Sequence, residues 1–157
     1  MLHRDYPDQV CSIARSLEIV GERWTLLILR DAMLGMSRFE ELQESLGIAS
    51  NVLTNRLKML CDEGVLERVP DPERPGRPKY VLTDKGRELA PALIVLMKWG
   101  DRHYPTPNGP PRLTLHVGCG GSFGADLRCD RCGNQARPGE IDLAPGPGAR
   151  RAEPAAR

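Results

Sequence analysis

The sequence predicts a mainly α fold of the α+β class: two short helices joined by a tight turn, a two-stranded hairpin behind them, and a long closing helix. Three observations carry this reading. Ser37-Arg38-Phe39-Glu40 has the Ser-then-Glu spacing of a capping box and opens a helix that ends near Gly47. Only Ile48 and Ala49 separate that helix from Ser50, a good N-cap for a second helix running to about Glu63, with Gly64 as its stop. Beyond it, Val65 to Val69 and Lys79 to Thr83 read as strands flanking Pro70 to Pro78, a loop dense in proline, glycine and charge. A helix-turn-helix followed by strand, loop and strand is a winged helix-turn-helix.

The remaining elements follow from apolar spacing. Cys11 to Leu17 reads as a short helix, with Asp8 placed where an N-cap would sit. After Gly21, the run through Trp24, Leu27 and Ile28 is apolar around much of its circumference and forms the central core helix, with Trp24 a core residue. From Asp84 to about Tyr104, Leu89, Leu93, Leu96 and Met97 recur on one stripe, so a single long amphipathic helix closes the domain, with Pro91 tolerated or bending it.

Composition bounds what such a chain can be. At 157 residues, 40% apolar and 27% charged, it accommodates one ordinary core plus a small appendage. The organisation expected is a main domain over 1–104, a Pro-rich linker over 105–112, a small Cys-rich module over 113–144 and a disordered tail over 145–157. No stretch is apolar enough to span a membrane, and the first residues lack a secretory pattern, so a cytoplasmic protein is expected. The formal net charge is only +1, so affinity for nucleic acid has to come from local geometry rather than bulk charge.

That geometry lies on the Ser50 to Glu63 helix. With about 100 degrees per residue, Leu53, Leu57 and Leu60 cluster within about 40 degrees of one another. Ser50, Asn51, Thr54, Asn55 and Lys58 are left on or beside the opposite arc. Asn can engage adenine through two hydrogen bonds, Thr can meet thymine, and Lys can reach guanine or a phosphate. In the wing, Arg74, Arg77 and Lys79 supply cations for the phosphate backbone or minor groove, diluted by Asp71 and Glu73. Arg56 flanks the leucine stripe, where a structural salt bridge competes with a DNA contact.

Five segments together resemble the HxlR-type winged-helix regulators. They are Cys11-Ser-Ile-Ala-Arg15, Gly21-Glu-Arg-Trp24-Thr-Leu-Leu-Ile-Leu-Arg30, Arg38-Phe-Glu-Glu-Leu42, Ser50-Asn-Val-Leu-Thr-Asn-Arg-Leu57 and Tyr80-Val-Leu-Thr-Asp-Lys-Gly86. The resemblance implies a bacterial transcriptional regulator, a homodimer packed through the helices at both ends of the domain. It further implies that the second helix of the motif and the wing bind operator DNA. On that basis the expected function is sequence-specific binding of double-stranded DNA at a palindromic operator, as a repressor. Trp99 is then a candidate for core or dimer packing. Some members sense electrophiles or oxidants through an early cysteine, and Cys11 occupies the matching position. The positive end of a helix dipole would favour its thiolate, while a structural role at the dimer interface stays open. Cys61 reads as a small half-buried residue.

Behind the linker, Leu115-His116-Val-Gly-Cys119-Gly-Gly is followed by Leu127-Arg-Cys129-Asp-Arg-Cys132-Gly133. Two ligand pairs, each spaced by two residues and followed by glycine, form a zinc-ribbon signature with His116, Cys119, Cys129 and Cys132 as ligands. Four protein ligands leave no position for a reactive water, so the zinc would be structural. A redox pair at Cys129 and Cys132, or an unoccupied tail, is the alternative. Two other functions compete with the regulator: a protein-interaction module without DNA affinity, and a thiol sensor whose main signal is Cys11. An enzyme is not expected, since no catalytic constellation, phosphate loop or dinucleotide fingerprint is present.

Overall fold

Helix α1 (Ser12–Val20) opens the computed structural model, which describes residues 11–122, 124, 126–135, 140 and 141. Asp8, the expected cap, lies outside the described residues. Cys11, in extended backbone at φ −140°, occupies the N-cap position, so it precedes the helix rather than sitting in its first turn. Helix α2 (Thr25–Met33) buries Ile28 and Leu29 completely, and Trp24 at its N-cap packs half-buried against the same core.

Helix α3 (Phe39–Leu46) begins with only the carboxylate half of the expected capping box, one residue later than the sequence spacing suggests, because its N-cap is Arg38, whose guanidinium cannot accept a hydrogen bond. The Glu41 carboxylate, not that of Glu40, accepts the backbone N–H groups of Ser37 and Arg38, each at 3.0 Å. The helix ends at Gly47 in the left-handed region, φ 61°, a conformation in which glycine avoids the Cβ clash. Helix α4 (Ser50–Asp62) likewise starts one residue earlier than read, with Ala49 as N-cap and Ser50 as its first helical residue. Leu53, Leu57 and Leu60 are buried as their spacing demands.

Strands β1 (Leu66–Pro70) and β2 (Pro78–Leu82) pair antiparallel from Leu66↔Leu82 to Pro70↔Pro78. Arg38 bridges to Lys79, and the Tyr80 N–H donates to the Ser37 carbonyl at 2.7 Å, so the segment before α3 extends the hairpin at its edge. Leu66 and Leu82 carry the base of the wing into the core formed by Ile28, Leu29, Leu42, Leu53, Leu57 and Leu60. Full burial of each of these side chains contributes about 1.5 to 3 kcal/mol.

The single closing helix expected from Asp84 to Tyr104 is broken. A short α5 (Asp84–Arg87) is followed by α6 (Ala90–His103), with Pro91 in the first turn of α6. The proline has no N–H to donate and its ring would clash with the carbonyl four residues earlier, so the chain restarts there instead of bending.

The joint between α5 and the end of α4 is tight. Thr83 caps α5 by accepting the Gly86 N–H at 3.1 Å and donates its hydroxyl to the Gly64 carbonyl at 2.7 Å. Lys85 adds an ammonium contact to the Glu63 carbonyl at 2.6 Å. At Gly86 a Cβ would stand 2.2 Å from the Val65 carbonyl oxygen and 2.9 Å from Leu82 Cδ2. Past His103 the described residues form turns and two isolated strand pairs, Leu115↔Ser122 and Arg128↔Gln135. Among the described residues no helix is long and apolar enough to cross a membrane.

Gly86→Ala is therefore expected to lower unfolding free energy by about 1 to 3 kcal/mol, since the obstacle is backbone that cannot swing aside. Denaturant titration measures it; an unchanged midpoint would mean that the close approach at Val65 does not exist.

Candidate nucleic-acid interface

Burial of three leucines sets the rotation of α4 about its axis. Ser50, Asn51, Thr54, Asn55 and Lys58 are all exposed, forming the continuous polar face read from the sequence. Two of them are engaged locally: Asn51 accepts the Val52 N–H through Oδ1 at 2.9 Å, and Lys58 pairs with Asp62 one turn on. Both contacts are exposed and exchange readily for other partners. Arg56 makes the structural bridge that its flanking position allowed, to Glu22 at 3.3 Å.

The wing is held by a charge network that the sequence did not reveal. Asp71, almost fully buried, receives Arg38 Nε at 2.8 Å and Lys79 Nζ at 3.4 Å, and its other contact is the Glu73 N–H at 3.1 Å. Arg38 also reaches Glu73. Asp71 thus does not dilute the wing's charge; it anchors the wing to the start of α3. The Arg38 guanidinium, ahead of the Glu73 N–H and Lys79, holds the Asp71 carboxyl down to about 2, and Arg38 is in turn kept more firmly protonated.

The other wing cations face α3. Arg77 Nη1 lies 2.6 Å and Arg74 Nη1 3.7 Å from the Glu40 carboxylate, whose ionised form is favoured first by its own backbone N–H and then by these two arginines. Arg77 remains the more exposed of the two, at 69% against 45%. Lys79, at 28%, is the most committed to the fold of the three. Nothing in residue spacing pointed to Arg38, which lies 33 residues from Asp71.

Within the winged-helix domain, apolar side chains without a core to enter recur on the end helices. Ile13 and Leu17 of α1, and Val95, Leu96 and Trp99 of α6, are exposed. Trp99 lies against His103 and Tyr104, and is not a core residue within one chain. Cys11 stands exposed at the start of α1, whereas burial pushes the half-buried Cys61 thiol up.

In the tail, the four residues read as ligands lie in two short turns. His116 Nδ1 and Cys119 Sγ are 3.3 Å apart. The backbone N–H groups of Cys132 and Arg131, together with the Cys132 thiol, point at the Cys129 sulfur and hold its thiol below the usual range. The expected four-ligand set is not drawn together: among the described residues no group of three or more His, Cys, Asp or Glu side chains could hold a metal ion.

A polar helix face presented by a helix-turn-helix, beside an arginine-bearing hairpin, defines a DNA-binding transcriptional regulator of the winged-helix class. The chain belongs to the HxlR-like helix-turn-helix family, whose model matches residues 19–108. It is 46% identical over 137 residues to an uncharacterised HTH-type transcriptional regulator of Mycobacterium tuberculosis (strain ATCC 25618 / H37Rv), covering 87% of each chain. A match of that length cannot fit within the first 104 residues, so it extends into the tail. Among solved structures, the transcription factor PA1607 superposes with a TM-score of 0.76 at 34% identity, over 86% of this chain and 94% of that one. The redox regulator HypR in its reduced form matches with a TM-score of 0.54 at 26% identity, over 59% of this chain and 95% of that one. These relatives are regulators of transcription, and the chain is not an enzyme.

Replacing Asp71 by Asn tests the anchor. The folded carboxyl, at about 2 against an ordinary 3.8, contributes stability that is complete above about pH 4 and is lost as pH falls through about 2. Asp71→Asn should therefore melt below the parent at neutral pH, and the gap should close across that acid window. A gap equally wide at about pH 2 would remove ionised Asp71 from the account.

Proposed function

We propose that the protein is a repressor that binds a palindromic operator as a homodimer. The observation that carries the proposal is the exposed polar face of α4, with Ser50, Asn51, Thr54, Asn55 and Lys58 directed away from the core. Asn51, Thr54 and Asn55 read base edges in the major groove, while Lys58 exchanges Asp62 for a phosphate or a guanine. Arg74 and Arg77 exchange Glu40 for the backbone, and Lys79 adds its charge at the base of the wing. The apolar stripes of α1 and α6 supply the dimer contact, placing two copies of α4 about one helical turn of DNA apart.

Selection of bound fragments from genomic DNA, followed by band-shift titration, tests the proposal. Asn55→Ala should cost roughly 1 to 3 kcal/mol on the selected site and relax its sequence, whereas Arg77→Ala should weaken all DNA and reduce the salt slope by about one. Equal losses on selected and random DNA for Asn55→Ala would remove its reading role. A protein that sediments as a monomer while bound would remove the homodimer, and one that retains no fragment at low salt would favour a protein-interaction module instead.

A second reading concerns the signal rather than the target. Cys11 is exposed beside the proposed dimer contact, and the similar protein HypR is a redox regulator. Addition of an electrophile such as diamide to the Cys11 sulfur, with the thiol proton passing to the electrophile's nitrogen, would place new bulk against α1 of the mate and release DNA. Diamide should then weaken operator binding by the parent and leave Cys11→Ser unaffected; equal sensitivity of the two would assign the response to another thiol.

A further inference from the structure

We propose that the two turns of the tail close on one structural zinc ion, held by His116, Cys119, Cys129 and Cys132. The foundation is a repeat in the backbone that composition alone does not show. In the first turn the Gly120 N–H donates to the His116 carbonyl at 2.8 Å, the His116 N–H donates to the Gly121 carbonyl at 2.7 Å, and Leu115 pairs with Ser122. In the second, thirteen positions on, the Gly133 N–H donates to the Cys129 carbonyl at 2.9 Å, the Cys129 N–H donates to the Asn134 carbonyl at 3.0 Å, and Arg128 pairs with Gln135. Gly120 and Gly133 both have φ 71°, the left-handed conformation that lets the chain double back past the second ligand. Each turn therefore places a ligand at its first position, a cysteine three residues on, and a glycine immediately after.

Such a turn is half of a tetrahedral site. Zinc–nitrogen and zinc–sulfur bonds of about 2.0 and 2.3 Å set at the tetrahedral angle put the two donor atoms about 3.5 Å apart. His116 Nδ1 and Cys119 Sγ stand at 3.3 Å, within a few tenths of an ångström of that edge. The second turn repeats the backbone geometry of the first, setting Cys129 and Cys132 at the corresponding positions. Three thiols and an imidazole suit zinc rather than a hard, oxygen-seeking cation. Binding converts the thiols to thiolates, releases their protons to solvent and draws the two halves together.

The ion also accounts for how this segment can hold a fold. Leu113, Leu115, Val117 and Leu127 are all exposed, and none of the described tail residues belongs to the buried core, so apolar burial contributes little among them. A short module without a core is the setting in which a metal replaces one.

The test is metal analysis of the full-length chain purified under reducing conditions without chelator. One zinc per chain is expected, displaced by a chelator and restored on titration. Cys119→Ser, Cys129→Ser and Cys132→Ser should each lose it, and His116→Ala should weaken binding by more than about tenfold. Cys11→Ser should keep full occupancy. Cobalt substitution gives a reading independent of how well variants fold, since the parent's thiolate-to-metal absorption reports three sulfur ligands. A reduced parent that takes up neither metal, a cobalt spectrum without thiolate character, or full zinc retained by Cys129→Ser would each overturn the site. Recovery of a Cys129–Cys132 disulfide in a protein that binds no metal after reduction would identify a redox pair instead.

Discussion

Three leucines determine which way α4 faces. Leu53, Leu57 and Leu60 enter a core shared with Ile28, Leu29 and Leu42, and together they allow only one rotation of the helix about its axis. Every polar side chain on the far arc is then outward by necessity. No residue on that face needs a contact of its own to be presented to a duplex; truncating one of the leucines would cost about 2 to 5 kcal/mol and would loosen all of them together.

Two further constraints hold the neighbours of α4 in register. At its C-terminal end, Thr83, Lys85 and the close approach at Gly86 tie α5 to Gly64 and Glu63, so the return from the wing is fixed against the end of the recognition helix. At the wing itself, Asp71 joins Arg38 to Lys79 across β2 and the start of α3. The hairpin is thus fastened at both its base and its edge, although its tip carries no apolar side chain that could pack.

The parts of this arrangement that were legible in the sequence are those governed by short periods. The leucine stripe repeats every three to four residues, and the wing is punctuated by Pro70, Pro75, Gly76 and Pro78, so both could be placed within a residue or two. The caps slipped by one because reach in space, not spacing alone, selects the partner: Glu41 meets the two free N–H groups while Glu40 turns to the arginines. The continuous closing helix failed on a single ring, at Pro91. The Arg38 and Asp71 pair joins residues far apart in the chain, and no local pattern encodes it. In the tail, spacing disclosed each ligand pair, but whether the pairs meet depends on the chain between them, where the pattern carries no period.

Glu40 has an arithmetic consequence for a chain whose total charge is close to zero. One carboxylate, Glu40, faces two guanidiniums, Arg74 and Arg77, while Glu41, Asp71 and Glu73 are taken up by Arg38 and Lys79, so the surplus of positive charge is local to this rim of the hairpin. A polyanion approaching from that side meets attraction that the overall balance conceals, and the surplus lies beside the helix whose amides and hydroxyls discriminate between bases.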